Sequence, residues 1–421
     1  MRGSTRVAAI LILMFVYCVS SAGSAHAGSA TRMLGFSTRD SAMAGATTAS
    51  SEDTSCLVRN PAGMLQSGSR VDIEYINILP HHVSMRTEGQ AIAPNPASLS
   101  NVGLEQRSTI DYIGAGNGGI IWRLPGSEKH PVAFGLGVFT MSGIALNYPC
   151  PRINTAMDGS GNANGIYDRF IDLRSTRIAP GLAVGLTDKL FFGATANIGI
   201  QGLRTDMAKN NLRETVGSGK WDFTTGGGFT LGLLYRYNEM LSLGASYESH
   251  GWMGYHYKYK DTLPYIDEPP VINAGISFKP VKDIELTFDT RYINWTDIKI
   301  ARLAPVSGGF GWTEQWVFAT GGEYTFKDKL KLRLGYVYNR SPIGQKVTFA
   351  NALLPVIMEH HLTTGFSYML TKKLSADLTW EHHFMGAQAD NGAGDVYSLN
   401  GVGTKVTAAV DIISIGLGYK F

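Results

Sequence analysis

From Arg70 onward, apolar and polar residues alternate with a period of two, the mark of β-strands with one apolar and one polar face. In the segment from Leu330 to Asn339 the even positions are Leu330, Leu332, Leu334, Tyr336 and Tyr338. The odd positions are Lys331, Arg333, Gly335, Val337 and Asn339. Ile284, Leu286, Phe288 and Tyr292 alternate in the same way with Glu285, Thr287, Asp289 and Arg291. Leu374, Ala376, Leu378 and Trp380 alternate with Ser375, Asp377, Thr379 and Glu381. The final residues do so too, with Ile413, Ile415, Leu417, Tyr419 and Phe421 on one parity and Ser414, Gly416, Gly418 and Lys420 on the other. The pattern predicts fourteen strands, near 70–78, 110–123, 131–144, 168–187, 189–203, 220–237, 239–255, 269–280, 282–300, 312–327, 329–341, 359–371, 373–386 and 404–421.

The connections sort by parity. Every second one is a short polar turn, as at Thr187-Asp188-Lys189, Tyr237-Asn238-Glu239, Lys327-Asp328-Lys329 and Thr371-Lys372-Lys373. The others are long, such as the stretches 148–169 and 341–359. Short turns at one end and long loops at the other are the habit of a transmembrane β-barrel. A charge facing lipid at the bilayer midplane costs about 2–4 kcal/mol. In the three strands above, every charge falls opposite the apolar set, which predicts a polar lumen and an apolar outer face. The expected fold is all-β: a 14-stranded antiparallel transmembrane barrel, with both termini on the short-turn, periplasmic side. Its last strand must close against the first, because a spanning sheet tolerates no free edge. Phe421 and Tyr419 then sit in an interfacial aromatic girdle.

Composition supports export to a membrane. Residues 1–27 carry Arg2 and Arg6, an apolar run from Val7 to Val19 and small residues ending Ala25-His26-Ala27, the form of a secretory signal peptide. Cys18 follows Val16 and Tyr17, bulky residues that do not suit a lipid-attachment signal. Beyond the leader no second run of eighteen apolar residues offers a spanning helix. Removing Arg2 and Arg6 lowers the net charge from +3 to +1, which gives no electrostatic reason to bind nucleic acid. Cys56 and Cys150 remain, as one bridge or as two free thiols.

Residues 28–69 do not alternate; they are rich in Ala, Ser, Thr and Gly. A lumen ringed by fourteen strands is wide enough to leave a hole unless something fills it. The expected organisation is therefore a signal peptide at 1–27, an N-terminal plug or hatch at 28–69, and the barrel at 70–421.

Within that plug stand Ala44-Gly45, then Glu52-Asp53, then Asn60-Pro61-Ala62. Their order and spacing resemble the hatch signature of the FadL-type outer-membrane transporters of long-chain fatty acids and hydrophobic compounds, the OMPP1/FadL/TodX family. The segments Tyr292–Ile300 and Leu332–Ile343 resemble later parts of that family, so the likeness covers nearly the whole mature chain. The resemblance implies passive uptake of a hydrophobic small molecule across the outer membrane of a Gram-negative bacterium, by a monomer, without cofactor. Capture at extracellular loops, movement of the hatch and sideways exit through a kinked third strand complete the implied route. The C-terminal aromatic resembles the signal read by the barrel assembly machinery, which with outer-membrane lipid completes the expected partners.

On that basis the gate residues are Gly45, Glu52, Asp53, Arg59, Asn60, Pro61 and Ala62. Pro61 fixes one φ and biases Asn60 away from helix, while Asn60 can hold a turn through backbone hydrogen bonds. Ligand candidates are Phe36, the cations Arg291, Lys331 and Arg333, and the apolar loop residues Leu353, Leu354, Val356 and Ile357, with Gly143 as the wall kink. The cations have internal pairing to Asp289, Glu323 and Asp377 as their alternative role. A general diffusion porin for small polar solutes is the competing function, and it would need an open lumen. Enzymatic chemistry is not expected. The pairs His81-His82, His360-His361 and His382-His383 place neighbours on opposite faces of a strand, so no pair forms a metal or nucleophile site by itself. Neither Gly-x-Ser-x-Gly nor His-Glu-x-x-His occurs.

Overall fold

The computed structural model describes residues 31–86, 105–125, 130–148, 169–205, 219–260 and 263–421; the leader and Cys150 lie outside them. Fourteen antiparallel strands form one closed wall: β1 Arg70–Arg86, β2 Ile113–Arg123, β3 Val132–Tyr148, β4 Arg169–Gly185, β5 Leu190–Thr205, β6 Asp222–Arg236 and β7 Leu241–Glu248. They continue as β8 Val271–Val281, β9 Ile284–Ile293, β10 Gln315–Phe326, β11 Leu330–Asn339, β12 His360–Met369, β13 Leu374–Ala389 and β14 Lys405–Lys420. Two short pieces, Glu105–Arg107 and Trp252–Met253, pair onto β1 and β6. Each strand pairs with its neighbours in sequence. β14 returns to β1 in register from Arg70↔Lys420 to Arg86↔Lys405, so the sheet closes on itself.

The alternation decides which way each side chain points. Ile413, Ile415, Leu417 and Tyr419 face outward along β14, as do Leu332, Leu334 and Tyr338 along β11. Glu285, Asp289 and Arg291 on β9 and Arg333 on β11 are buried on the lumen side. The short turns form where their residues suit them. Lys327 and Asp328 both take positive φ, 51° and 54°, in a turn that the Lys329 amide closes by donating to the Phe326 carbonyl at 3.2 Å, the handedness that suits the twist of the strands. Thr187, Asn238 and Thr371 each accept hydrogen bonds from backbone amides two and three residues on, which closes the other turns.

Several strand ends differ from the sequence expectation. β1 runs to Arg86 rather than 78, because a register shift between Pro80 and His82 carries the amide-less Pro80 past β14 without breaking the ladder. β7 stops at Glu248 rather than 255. β9 stops at Ile293 rather than 300, because the chain turns inward through Trp295–Asp297 and Lys299–Arg302 and buries Trp295 and Ile300.

Residues 31–69 lie inside the barrel and are almost wholly buried. They pack by one apolar set on the walls of β2 to β6, with Leu57, Met64, Ile121, Phe139 and Leu234 in a common cluster. A second, larger apolar cluster fills the lumen beyond them, toward the long loops. Replacing outward-facing Ile415, paired with Tyr75 and Leu378, by arginine is expected to cost about 2–4 kcal/mol. Urea unfolding in lipid vesicles measures it; Lys372→Ala in an exposed turn should shift the same curve by less than about 0.5 kcal/mol.

Candidate functional site

The luminal segment is built from short helical turns, each stopped by a residue suited to the task. Ser37 caps the turn Thr38–Ala42 by accepting from the Asp40 amide. Ala44 and Gly45 then take left-handed φ of 59° and 75°. A Cβ at Gly45 would lie 2.4 Å from the Leu34 carbonyl oxygen, so this position demands glycine. After the turn Cys56–Arg59, Asn60 adopts extended backbone and Pro61 starts the next turn, where its missing N–H does no harm. Cys56 is a buried free thiol.

Asn60 ties this turn to the wall. Its Nδ2 donates to the Thr48 carbonyl at 2.7 Å and to the Leu233 carbonyl of β6 at 2.9 Å, while Oδ1 accepts from the Ala62 amide at 3.2 Å. Two wall glycines permit the approach. Gly193 on β5 and Gly232 on β6 are cross-strand partners. A Cβ on the first would meet the Pro61 carbonyl carbon at 2.3 Å, and on the second Asn60 Oδ1 at 2.1 Å. The Asn-Pro pair thus rests in a dimple of bare backbone.

A charge lattice completes the docking. Arg39 reaches Glu285 at 3.2 Å, Glu323 at 3.4 Å and Glu52 at 3.5 Å. Lys331 pairs with Glu323 at 2.8 Å and also contacts Glu52; Arg333 pairs with Glu323 at 2.8 Å. Oxygens of Glu52, Glu285 and Glu323 come within 4.8 Å of one another, but three cations occupy the space between them and leave an ion-pair lattice rather than a metal site. Burial alone would raise the Glu52 carboxyl; Arg39 and Lys331 hold it well below its usual range. Asp53 works locally, accepting from Ser37 Oγ and the Ser55 amide. Arg59 binds Asp40 at 2.8 Å and the Leu34 carbonyl at 2.6 Å, and its guanidinium lies 4.9 Å from the Phe36 ring centre.

The ligand candidates divide. Lys331 and Arg333 belong to this lattice and face carboxylates of the chain. Their partners are Glu323 and Glu52; Asp289 instead accepts from the Thr48 amide, and Asp377 from Ser375. Arg291 differs: its Nε donates to Asn273 Oδ1 at 2.9 Å and Nη2 to the Gly45 carbonyl at 3.4 Å, and no carboxylate lies within 4.0 Å of it among the described residues. Leu353, Leu354, Val356 and Ile357, expected as an apolar surface on an external loop, are buried inside the barrel mouth. There they pack with Tyr148, Leu203, Trp295, Trp312, Val317 and Val337, over a floor made by Leu34, Ala44 and Ala46. The reason is burial: four large apolar side chains gain about 1.5–3 kcal/mol each by leaving water. Phe36 lies on the other side of that floor, in the cluster with Met33 and Met141.

The wall is incomplete at the seam between β2 and β3. β2 and β3 pair only from Gly118↔Val138 to Arg123↔Ala133. Beyond Val138, β3 continues along β4 but has lost β2. The register with β4 slips between Thr140 and Ser142, so the bulge is at Met141 and not at Gly143, the residue expected from the sequence. Gly143 serves otherwise: its amide donates to the Thr31 carbonyl at 3.1 Å, while the Met33 amide donates to the Met141 carbonyl at 3.0 Å. Thr31–Met33 therefore takes the place of the missing partner. Arg32 anchors it through Glu248 at 2.8 Å, and Arg177 joins Glu248 to Glu268. Asn117, absent from the sequence candidates, spans the seam: Nδ2 donates to the Phe36 carbonyl and Oδ1 accepts from the Thr140 amide.

Comparison with known proteins matches residues 16–421 to the family model described as outer membrane protein transport protein (OMPP1/FadL/TodX). Among solved structures, the toluene transporter TodX of Pseudomonas putida superimposes with a TM-score of 0.67 at 16% identity, over 92% of this chain and 99% of that one. A Pseudomonas aeruginosa FadL homologue gives 0.63 at 14% identity, over 93% and 100%. The Ralstonia pickettii toluene transporter TbuX gives 0.61 at 15%, over 92% and 99%. At these identities they establish the shared fold. A 47 kDa outer membrane protein of Pasteurella multocida is 21% identical over 245 residues, 51% of this chain and 54% of that protein, so the chain spans about half the length of this curated relative.

Arg39→Ala strips Glu285 and Glu323 of a buried partner and is expected to weaken docking of the luminal segment by about 3–5 kcal/mol. Limited proteolysis within residues 31–69 should become faster while the barrel stays folded. Acid should do the same through Asp40. Burial would raise its carboxyl, but Arg59 holds it below the ordinary 3.8. Its contribution is complete above that value and lost as pH falls through the lower folded value. Proteolysis with an acid-active protease should therefore accelerate only below about pH 4.

Proposed function

Because the chain belongs to the OMPP1/FadL/TodX family of outer membrane transport proteins, channels rather than enzymes, we propose that it carries hydrophobic small molecules passively into the cell. Monoaromatic hydrocarbons and long-chain fatty acids are the two substrate classes to be separated. Toluene is what the names of two structural relatives report for those proteins. The observation that carries the reading is the apolar chamber at the barrel mouth, floored by Leu34, Ala44 and Ala46 and filled by the chain's own Leu353, Leu354, Val356 and Ile357. A wet porin has no use for such a chamber, whereas a hydrophobic solute replaces those side chains like for like. Arg291 at the floor favours a carboxylate end if the solute is a fatty acid, since it lacks a carboxylate of its own among the described residues.

The exit follows from the seam. The segment 31–69 acts as a hatch docked by Asn60, Pro61, Ala62, Gly45, Arg59 and the lattice around Glu52, with Asp53 holding its fold. Displacing Thr31–Met33 uncovers the free edge of β3 beside Met141 and opens a sideways path into the membrane, with both termini periplasmic. No energy input is required, because a solute moving from water to lipid runs downhill.

Uptake of labelled toluene and labelled oleate, by a host lacking its own transporter, tests the proposal. Uptake of one of them should continue in the presence of an uncoupler. It should fall at least tenfold when Asn60–Ala62 are replaced by glycines. A cysteine pair at positions 32 and 142, the bridge partners that seat the stopper on β3, should block uptake when oxidised and restore it when reduced. Large stable conductance to ions in a planar bilayer would instead support the porin, and undiminished uptake through the oxidised pair would rule out this exit.

A further inference from the structure

The polar face of the upper barrel holds three side-chain atoms that need a partner. His361 on β12 is fully buried, and among the described residues neither of its ring nitrogens has a hydrogen-bond partner. Opposite it on β13, in register, stands His383, with ring centres 4.3 Å apart and edge to face. Two residues back on the same face of β13, Glu381 is fully buried; one oxygen lies 3.4 Å from His383 Nε2 and the other, Oε1, is unpartnered. Buried polar atoms are normally hydrogen-bonded, so three together point to a missing partner.

Their surroundings say what kind. Below His361, Thr363 donates to the Ala42 carbonyl of the luminal segment. Beside it, the register partner Val337 belongs to the apolar chamber, as do Ala44 and Ile357. The cluster thus borders the chamber at the level of its floor. Three strand spacings separate His361 from Arg291, about 14 Å along the wall. A neutral imidazole offers one donor and one acceptor, and Glu381 Oε1 offers an acceptor. That combination suits a group that both gives and receives a proton in hydrogen bonds. A carboxylate is disfavoured beside Glu381.

We propose that His361, His383 and Glu381 form a polar subsite of the chamber that binds the hydroxyl of an oxygenated hydrophobic ligand, a phenol or an alcohol. The ligand O–H donates to Glu381 Oε1, His361 N–H donates to the ligand oxygen, and the hydrocarbon part lies against Val337, Ala44 and Ile357. His383 is the positioning residue, set by Glu381 and holding the His361 ring edge to face. This rests on the transport reading above and narrows its substrate class.

The test is competition binding of p-cresol and toluene to the purified full-length protein in detergent, with the ratio of their dissociation constants as the readout. The two probes differ only by the hydroxyl, and comparing variant with wild type cancels their different affinity for water. His361→Phe and Glu381→Met are each expected to lower the preference for p-cresol about tenfold, with toluene binding within twofold of wild type. Two independent variants are used because one alone could disturb folding, which heat-modifiable mobility on a gel reports. An unchanged ratio in a folded variant overturns the subsite and assigns the open atoms to internal water. Failure of the wild type to bind either probe while it still binds oleate overturns the subsite alone, and failure to bind oleate as well overturns the transport reading with it.

Discussion

A strand inside a membrane cannot leave its backbone unpaired, because hydrocarbon offers no substitute for water. Everything else in this protein is arranged around that constraint. The wall closes between β14 and β1 over the full length of both strands. Beyond Val138 β3 has parted from β2, and there the chain lends Thr31–Met33 as a replacement edge. The replacement is held by two backbone hydrogen bonds and the Arg32–Glu248 pair rather than by a continuous ladder.

Filling the lumen obeys a second division. Near the short turns, a polar wall meets a polar segment: Arg39, Lys331 and Arg333 against Glu52, Glu285 and Glu323. Nearer the long loops, the wall turns apolar on its inner face and is met by Trp295, Trp312 and the inserted loop. Buried charges of this sort add little net stability compared with apolar packing, but an unmatched one is expensive, so they fix register strongly. The lower layer therefore positions, and the upper layer receives. Large apolar side chains held in the mouth by nondirectional contacts are the kind that another apolar molecule can displace.

Much of this was legible from residue order. Alternation along β9, β11, β13 and β14 told the outer face from the inner one, because lipid punishes every misplaced charge. The turns were legible because Lys327-Asp328 and Asn238 carry their own local geometry. What escaped was whatever depends on contacts between distant strands. Pro80 reads as a strand end, and only its partner strand shows that a bulge carries it through. Residues 353–357 read as exposed because loops usually are; their burial depends on a chamber assembled from strands far along the chain. Gly143 drew attention as a flexible residue, whereas the slip at Met141 comes from pairing and leaves no composition signal. The histidine pairs were read one strand at a time, where neighbours point apart. Across strands, His361 meets His383 inside and His81 stacks on His382 outside.

The stretch Thr31–Phe36 joins these layers. Leu34 belongs to the chamber floor, and its carbonyl is held by Arg59. Met33 and Thr31 close the seam, and the Phe36 carbonyl is held by Asn117, which also bonds the Thr140 amide across the gap. Gly45 lies against both the Leu34 carbonyl and Arg59, with no room for a larger residue. On the proposed route, a ligand pressing on the floor would act on the same six-residue stretch whose first three residues stopper the wall. Backbone neighbours cannot move by more than a fraction of a residue length independently, so floor and stopper shift together. The proposed occupancy of the chamber and the proposed opening of the seam would thus be joined through one short length of chain. The demand for glycine at position 45 follows from the tightness of that joint.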